Sequence, residues 1–413
     1  MTQLEPADAP AVRSREVESM AGPLDGVKIV DCSAYITGPF ATMMLADQGA
    51  EVLKVEPAGL GDVMRYLGTE RGGISTLFAG CNRSKRSLAL NLHEPRGLEI
   101  LHALVAGADV FVQNFRPGVA DRIGIGEEAL RKLKPDLIYA SLSAFGTAGP
   151  MSGRPAFDHV VQALSGMAMV QADLETGEPC FVRNAVVDKL TALTAAQAIT
   201  AALLHRERTG EGQHLELSML SSALHFLWPD GMGRDTLKGD DVNLRPPVSH
   251  SYRMTTLKDG HMAVAVVTLD QVHGLMRAVG RPEFIEDERF STPNALLQNL
   301  EAFGAELAAQ SAEQTVAESL ANFEREDVPG APVLKPAEVS EHPQVKAMEL
   351  VEEVEHPAMG RMLRPRPPVR FSKSPAGISR HAPGLGEHGD EVLGELGLDA
   401  AERADLRAKG IVG

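Results

Sequence analysis

The sequence predicts an α/β protein with a mainly parallel β-sheet covered by helices on both faces, followed by a smaller α+β domain. Three observations carry this. Short apolar runs alternate with helical stretches through the first half of the chain. A Gly-, Asp- and Pro-rich break at 230–247 then separates that half from a segment with a different pattern. And 413 residues are more than one core ordinarily fills.

Taken in order, 27–31 is an apolar run expected as a strand. Gly38-Pro39 opens a helix over 40–47, and 51–55, after Gly49, is a second strand, which completes a βαβ unit. The alternation continues with strand 87–92, helix 94–106, strand 109–112, helix 127–133 and strand 137–142. Strands in such a series are buried on both faces, so they read as continuous apolar runs. Residues 188–206 carry Ala, Leu and Thr at helical spacing and predict a buried helix ending before Thr209-Gly210-Glu211-Gly212. Its most apolar part, 190–204, is interrupted by four polar residues and is expected to be too short to span a bilayer. A strand at 213–217 and a helix at 218–227 follow. Beyond the break, 251–254 and 262–267 are expected as antiparallel strands turning near Asp259-Gly260, with helices at 271–278 and 300–323. A basic, Pro-rich stretch from Gly360 leads to one acidic helix over 390–409, and the first 22 residues, which lack an apolar core, are expected as a disordered lead-in.

Composition narrows the function. Lys and Arg number 40 against 56 Asp and Glu, a net charge of -16, which disfavours nucleic-acid binding. Three cysteines without metal-ligand spacing fit a reducing, cytoplasmic compartment. No Walker loop, H-E-x-x-H, paired C-x-x-C or G-x-S-x-G occurs, so metal and nucleoside-triphosphate chemistry have no support. Gly384-Leu385-Gly386-Glu387-His388-Gly389 matches G-x-G-x-x-G, but no strand feeds it, and a structural turn is expected there.

The cations are unevenly placed. Asn82-Arg83-Ser84-Lys85-Arg86-Ser87 precedes a strand, and Lys85 reads as a solvated loop residue. Asn114-Phe115-Arg116-Pro117-Gly118, with Arg122 beyond, follows a strand end, where an open sheet binds anionic ligands. For Arg116 and Arg122, anion binding and a solvated loop both stay open. Asp188 stands between Ala185-Val186-Val187 and an apolar helix, where an N-cap explains it without function. Asp158, in Pro155-Ala156-Phe157-Asp158-His159, likewise opens an apolar segment, and His159 alone reads as a loop or core histidine.

Read together, these segments resemble the class III CoA-transferase family, also called CaiB/BaiF, to which 2-methylacyl-CoA racemases are related. The matching pieces are Leu24-Asp25-Gly26-Val27-Lys28-Ile29-Val30-Asp31, Gly38-Pro39 and Gly49-Ala50-Glu51-Val52-Leu53-Lys54-Val55-Glu56. The Asn82 to Ser87 and Asn114 to Gly118 segments, Arg208-Thr209-Gly210-Glu211-Gly212-Gln213 and Leu385-Gly386-Glu387-His388 continue the series in order. The resemblance implies an interlocked homodimer. Its large domain is Rossmann-like, formed by 23–229 and the returning segment 336–413, and 230–335 is the small α+β domain.

The resemblance also implies a CoA-transferase that moves CoA from an acyl-CoA thioester to a carboxylic acid through aspartyl anhydride and aspartyl-CoA thioester intermediates. Asp188 would be the nucleophile and Asp158 the acidic partner beside it. Asn114, Phe115, Arg116, Arg122, Leu90 and Arg83 would hold coenzyme A, which enters as substrate, with no tightly bound cofactor and no metal. The implied partners are an acyl-CoA donor, a carboxylic acid acceptor and a second copy of the chain, with neither nucleic acid nor membrane. The Gly-rich acceptor loop of the formyl-CoA branch has no counterpart after Pro247, so oxalate is not the expected acid. Two alternatives remain. A racemase needs a proton-exchanging side chain where this sequence has Phe157, and a non-catalytic CoA-binding protein would not need Asp188.

Overall fold

The structure, a computed structural model, describes residues 22–245 and 247–413. The chain forms two compact units. The first comprises the described residues up to Val161, then Ala185–Ser222 and Glu352–Gly413; the second comprises Gln162–Asn184 and Ala223–Val351. The segment 162–184, placed from sequence in the large domain, thus groups with the second unit.

The first unit is built on six strands: β1 Lys28–Asp31, β2 Glu51–Pro57, β3 Lys85–Leu90, β4 Val110–Gln113, β5 Ile138–Ser143 and β6 His214–Ser218. Their spatial order is β3-β2-β1-β4-β5-β6, and every pairing is parallel. The chain works outward from β1 to β3, then returns to β4 and works outward the other way. That reversal puts a topological switch point between β1 and β4, where the loops after the two strands part and leave a crevice.

The apolar runs explain the strands. In β4, Val110 and Val112 face one buried cluster with Leu45, Ala192 and Ile199, while Phe111 faces the other with Ile100, Leu101 and Tyr139. Helix α1, Thr37–Asp47, and the long Val186–Thr209 helix lie on the first face, and Pro95–Ala106 lies on the second. Val392, Leu393, Leu406, Ile411 and Val412 from the end of the chain complete the second cluster.

The Val186–Thr209 helix corrects one expectation. It has 24 residues and is apolar enough, by length and composition, to cross a membrane. Packing therefore accounts for it better than shortness does: Ala192, Ala195, Ala196 and Ala202 are buried among α1 and the sheet, where small side chains let backbones approach. Gly210, at φ 77°, ends it in the left-handed conformation that glycine adopts without a Cβ penalty.

In the second unit, Met254–Thr256, His261–Val264 and Gly330–Pro332 form a small antiparallel sheet packed on amphipathic helices. The single helix expected at 300–323 is two, Leu300–Ser311 and Val316–Arg325. Thr315 starts the second by accepting from the Glu318 amide at 3.2 Å, while Glu318 accepts from the Thr315 amide at 2.8 Å. The acidic C-terminal helix divides in the same way into Gly389–Glu395 and Ala400–Ala408, with Asp399 capping the second part.

Candidate active site

A buried ionic network lies beneath the carboxyl end of β1. Three carboxylates (Asp31, Glu56, Asp62) face three cations (Lys54, Arg65, Lys85), and all six are buried. Lys85 donates to Asp31 at 2.9 Å, to the Pro39 carbonyl at 2.8 Å and to Asn82 at 2.8 Å. This corrects the sequence reading of Lys85 as a solvated loop residue: it is 0% exposed and belongs to β3. Its parallel neighbour β2 brings Lys54 into the same interior. Burial pulls the Lys85 ammonium down to about 8 against the attraction of Asp31. Burial also raises Asp31, but Lys85 and Lys54 outweigh that and hold it at about 2. Arg65 forks onto Glu56 at 2.7 and 2.8 Å, and its guanidinium stacks 3.7 Å from the Phe78 ring.

These charges hold the turn that joins β1 to α1. Asp31 accepts from the Ser33 amide at 3.0 Å, Lys54 donates to the Ser33 carbonyl at 2.8 Å, and Asp62 accepts from the Tyr35 amide at 3.3 Å. From β4, Asn114 accepts from the Ala34 amide at 2.8 Å and donates to the Ala34 carbonyl at 2.7 Å. Tyr35 adopts φ 65°, a conformation that costs a non-glycine residue about 1–3 kcal/mol and persists where surroundings over-determine it. Gly38 is required by close approach, since a Cβ there would lie 2.1 Å from Ser33 Oγ. The turn delivers Thr37, the first residue of α1.

Thr37 Oγ1 donates a hydrogen bond to Oδ1 of Asp188. Oδ2 of Asp188 has no hydrogen-bond partner among the described residues. Asp188 is the third residue of the Val186–Thr209 helix, so the N-cap reading is corrected: Ala185 occupies the cap position and offers no side-chain acceptor. Asp158 fills that role from a distance, because its Oδ2 accepts the Asp188 amide at 2.9 Å. Burial, and then the charge of Asp158, push the Asp188 carboxyl up to about 6, while the Thr37 hydroxyl and Lys189 moderate the rise. Phe157 is 54% exposed and meets the Tyr35 ring edge-on at 5.3 Å.

A cavity of about 320 Å³ opens at the carboxyl ends of β4, β5 and β6. Phe115, Arg116, Ser143, Gly146, His214 and Ser218 are among its lining residues. Along its floor, Gln113 donates to Ser141 at 3.0 Å, and Ser141 lies 2.8 Å from His214 Nε2. Arg116 and Arg122 are exposed, and neither side chain has a hydrogen-bond or ion-pair partner among the described residues. The other two residues assigned to CoA sit elsewhere. Arg83 is buried and forks onto Asp47 at 2.7 and 3.0 Å, with a further bond to the Pro365 carbonyl at 3.2 Å. Leu90 is 1% exposed and packs in the core. The Leu90 side chain is thus packed against core neighbours, and three of the five Arg83 N–H groups are taken by Asp47 and Pro365.

Residues 24–389 match CoA-transferase family III. The chain belongs to that family. It is 35% identical to mouse succinyl-CoA:glutarate CoA-transferase over 94% of this chain and 90% of the relative. It is 33% identical to the acetyl-CoA:oxalate CoA-transferase of Acetobacter aceti, over 92% and 97% of the two chains. A CaiB/BaiF family protein from Brucella suis superimposes with a TM-score of 0.80 at 31% identity, covering 91% of this chain and all of that one. The chain is thus a CoA-transferase, and acyl-CoA thioesters are its substrates.

Within the family III fold, the structure joins Asp158 to Asp188, and Asn114 to the turn before α1. It places Phe115 and Arg116 together on the cavity. Sequence reasoning missed Thr37, because a threonine before Gly38-Pro39 carries no mark of a partner far along the chain. It also missed the Gln113–Ser141–His214 series, whose members lie on neighbouring strands and meet only through sheet register.

Proposed function

We propose that Asp188 is the nucleophile of a CoA transfer that proceeds through acyl-aspartyl anhydride and aspartyl-CoA thioester intermediates. The observation that carries this reading is the carboxylate itself. One oxygen is fixed by Thr37, the other is open, and a poorly solvated environment keeps the group more basic than an ordinary Asp yet ionised at neutral pH.

The steps balance without a proton donor. Asp188 Oδ2 attacks the thioester carbonyl, the carbon–sulfur bond breaks, and CoA leaves as a thiolate with an acyl-aspartyl anhydride behind. The thiolate attacks the aspartyl carbonyl, expels the donor acid as its carboxylate, and forms an enzyme thioester. The acceptor carboxylate attacks that thioester, giving a second anhydride and the thiolate again. Attack of the thiolate on the acceptor's acyl carbon then yields the new acyl-CoA and restores Asp188. Each carboxylate enters and leaves as an anion, so Phe157 beside Asp158 is no obstacle. A racemase would need a proton-exchanging group there.

Arg116 and Arg122 are the proposed phosphate contacts of CoA, and Phe115 is an apolar contact within the same segment. The reading includes an interlocked homodimer in the cytoplasm. The named relatives act on succinate, glutarate and oxalate, and the proposed acids are short dicarboxylates, with succinate and glutarate ahead of oxalate. The test incubates the enzyme with succinyl-CoA, glutaryl-CoA or acetyl-CoA and a panel of acids, reads the products by mass spectrometry, and traps the intermediate with hydroxylamine. Trapping should label Asp188. A label elsewhere, or undiminished exchange in Asp188→Ala, would refute the mechanism.

A further inference from the structure

We propose that Asn114 is a positioning residue for the chemical step: its side-chain amide fixes the turn that brings Thr37 onto Asp188. This rests on Asp188 being the nucleophile. Asn114 stands at the end of β4 and reaches across the switch point to the loop after β1, where it bonds both the backbone N–H and the backbone C=O of Ala34. A carboxamide accepts a residue's backbone N–H on its oxygen and donates to the same residue's C=O from its nitrogen, two separate atoms set side by side. A carboxylate lacks the donor, and an ammonium lacks the acceptor.

The geometry downstream explains why such a grip is needed. Tyr35, next to Ala34, is held at φ 65°, which an unrestrained tyrosine would leave. Thr37 follows two residues later, and its hydroxyl holds Oδ1 of Asp188. If the Ala34 peptide rotated away, α1 would begin differently and the Thr37 hydroxyl would move off the carboxylate. Both Asp188 oxygens would then be free to turn, and attack through Oδ2 would lose its preset direction. The rest of the turn keeps its holders, since Asp31 and Lys54 grip Ser33 and Asp62 grips Tyr35. Loss of Asn114 should therefore spoil alignment and leave the fold in place. Asn114 also adjoins Phe115 and Arg116, which line the cavity, so one residue links the cavity-lining segment to Asp188.

The test is a double-mutant cycle in the full-length enzyme, using the donor and acid that wild type exchanges fastest. Asn114→Ala should lower kcat about 100-fold, the scale of a misplaced reacting group, with the Kd for CoA by calorimetry unchanged within about twofold. Thr37→Val should give a similar loss, Thr37→Ser should retain the rate, and the double variant should be no slower than Thr37→Val alone. A raised Kd with kcat kept would make Asn114 a ligand contact and overturn the proposal. So would losses that multiply in the double variant, because the two residues would then act independently. Asn114→Asp keeps the bond from the Ala34 amide and loses the bond to its carbonyl, so it applies the same kinetic criterion if the alanine variant fails to fold. Asp188→Ala separates the two ideas. If it still exchanges CoA, the nucleophile assignment falls; if it is dead while the other losses multiply, only the positioning role falls.

Discussion

Replacing Asp188 with Asn should stabilise the protein at pH 8 while abolishing CoA exchange. Burial, then repulsion from Asp158, hold the carboxyl at about 6 instead of its ordinary 3.8. The folded state therefore binds the proton more tightly than the unfolded chain. Between pH 3.8 and about 6 folding takes up protons, so stability falls as pH rises through that window. The penalty is absent below the window and complete above it. At about 1.4 kcal/mol per pH unit, the span corresponds to a ceiling of about 3 kcal/mol. Asp188 is only partly buried, and water screening reduces this to about 1–2 kcal/mol. Asn presents the same acceptor to Thr37 without the charge. Thermal unfolding of both proteins at pH 4 and pH 8 tests the reasoning: at about 2–4 °C per kcal/mol, the variant should gain several degrees at pH 8 and only a small part of that at pH 4, near the foot of the window. An equal gain at both pH values, or no gain at pH 8, would refute the claim that an uncompensated ionised carboxylate is held here.

With Asp188 as the proposed nucleophile, kcat should rise with pH through about 6 and level off above it, since only an ionised carboxylate attacks. Asp158→Asn removes the like charge, so that limb should move to lower pH, and an unmoved limb would show that Asp158 acts through packing alone. Lys85→Met leaves Asp31 charged and buried with one partner fewer, and should lower stability by about 3–5 kcal/mol in urea unfolding. A loss under about 1 kcal/mol would mean that Lys54 and the Ser33 and Thr42 hydroxyls, which both donate to Asp31, suffice for it. Arg116→Ala and Arg122→Ala should each weaken CoA binding about tenfold in calorimetry, the scale of one hydrogen bond to a charged group. A variant with unchanged affinity removes that arginine from the phosphate seat.

The sheet was largely legible because its strands are buried on both faces, and a run such as Val110-Phe111-Val112 advertises that directly. Boundaries within the helical stretches 300–323 and 390–409 were missed although their signals were present. Thr315 with Glu318, and Asp399 with Glu402, have the spacing of capping boxes inside otherwise unbroken helical patterns. The site was legible only in part. Asp188 and Asp158 could be named, but Asp188 looked like a cap because sequence does not show that a distant carboxylate caps its helix instead. Lys85 looked solvated because a short run of three cations before a strand usually is a basic loop; the buried Asp31 that reverses this lies on another strand, and only strand order brings them together. Thr37 was invisible for the same reason.

The discontinuity of the first unit has a consequence during synthesis. A ribosome releases β1 to β6 long before Val392, Leu393, Leu406, Ile411 and Val412, yet those residues share one buried cluster with Phe111 and Tyr139. One face of the sheet must therefore wait, incompletely covered, while Ala223–Val351 is made, and the second unit has all of its own residues first. The later unit in sequence is the earlier one to become complete. Exposed β-sheet surface in a nascent chain is an association hazard. Translation speed through Ala223–Val351 thus governs how long this chain stays exposed to that hazard.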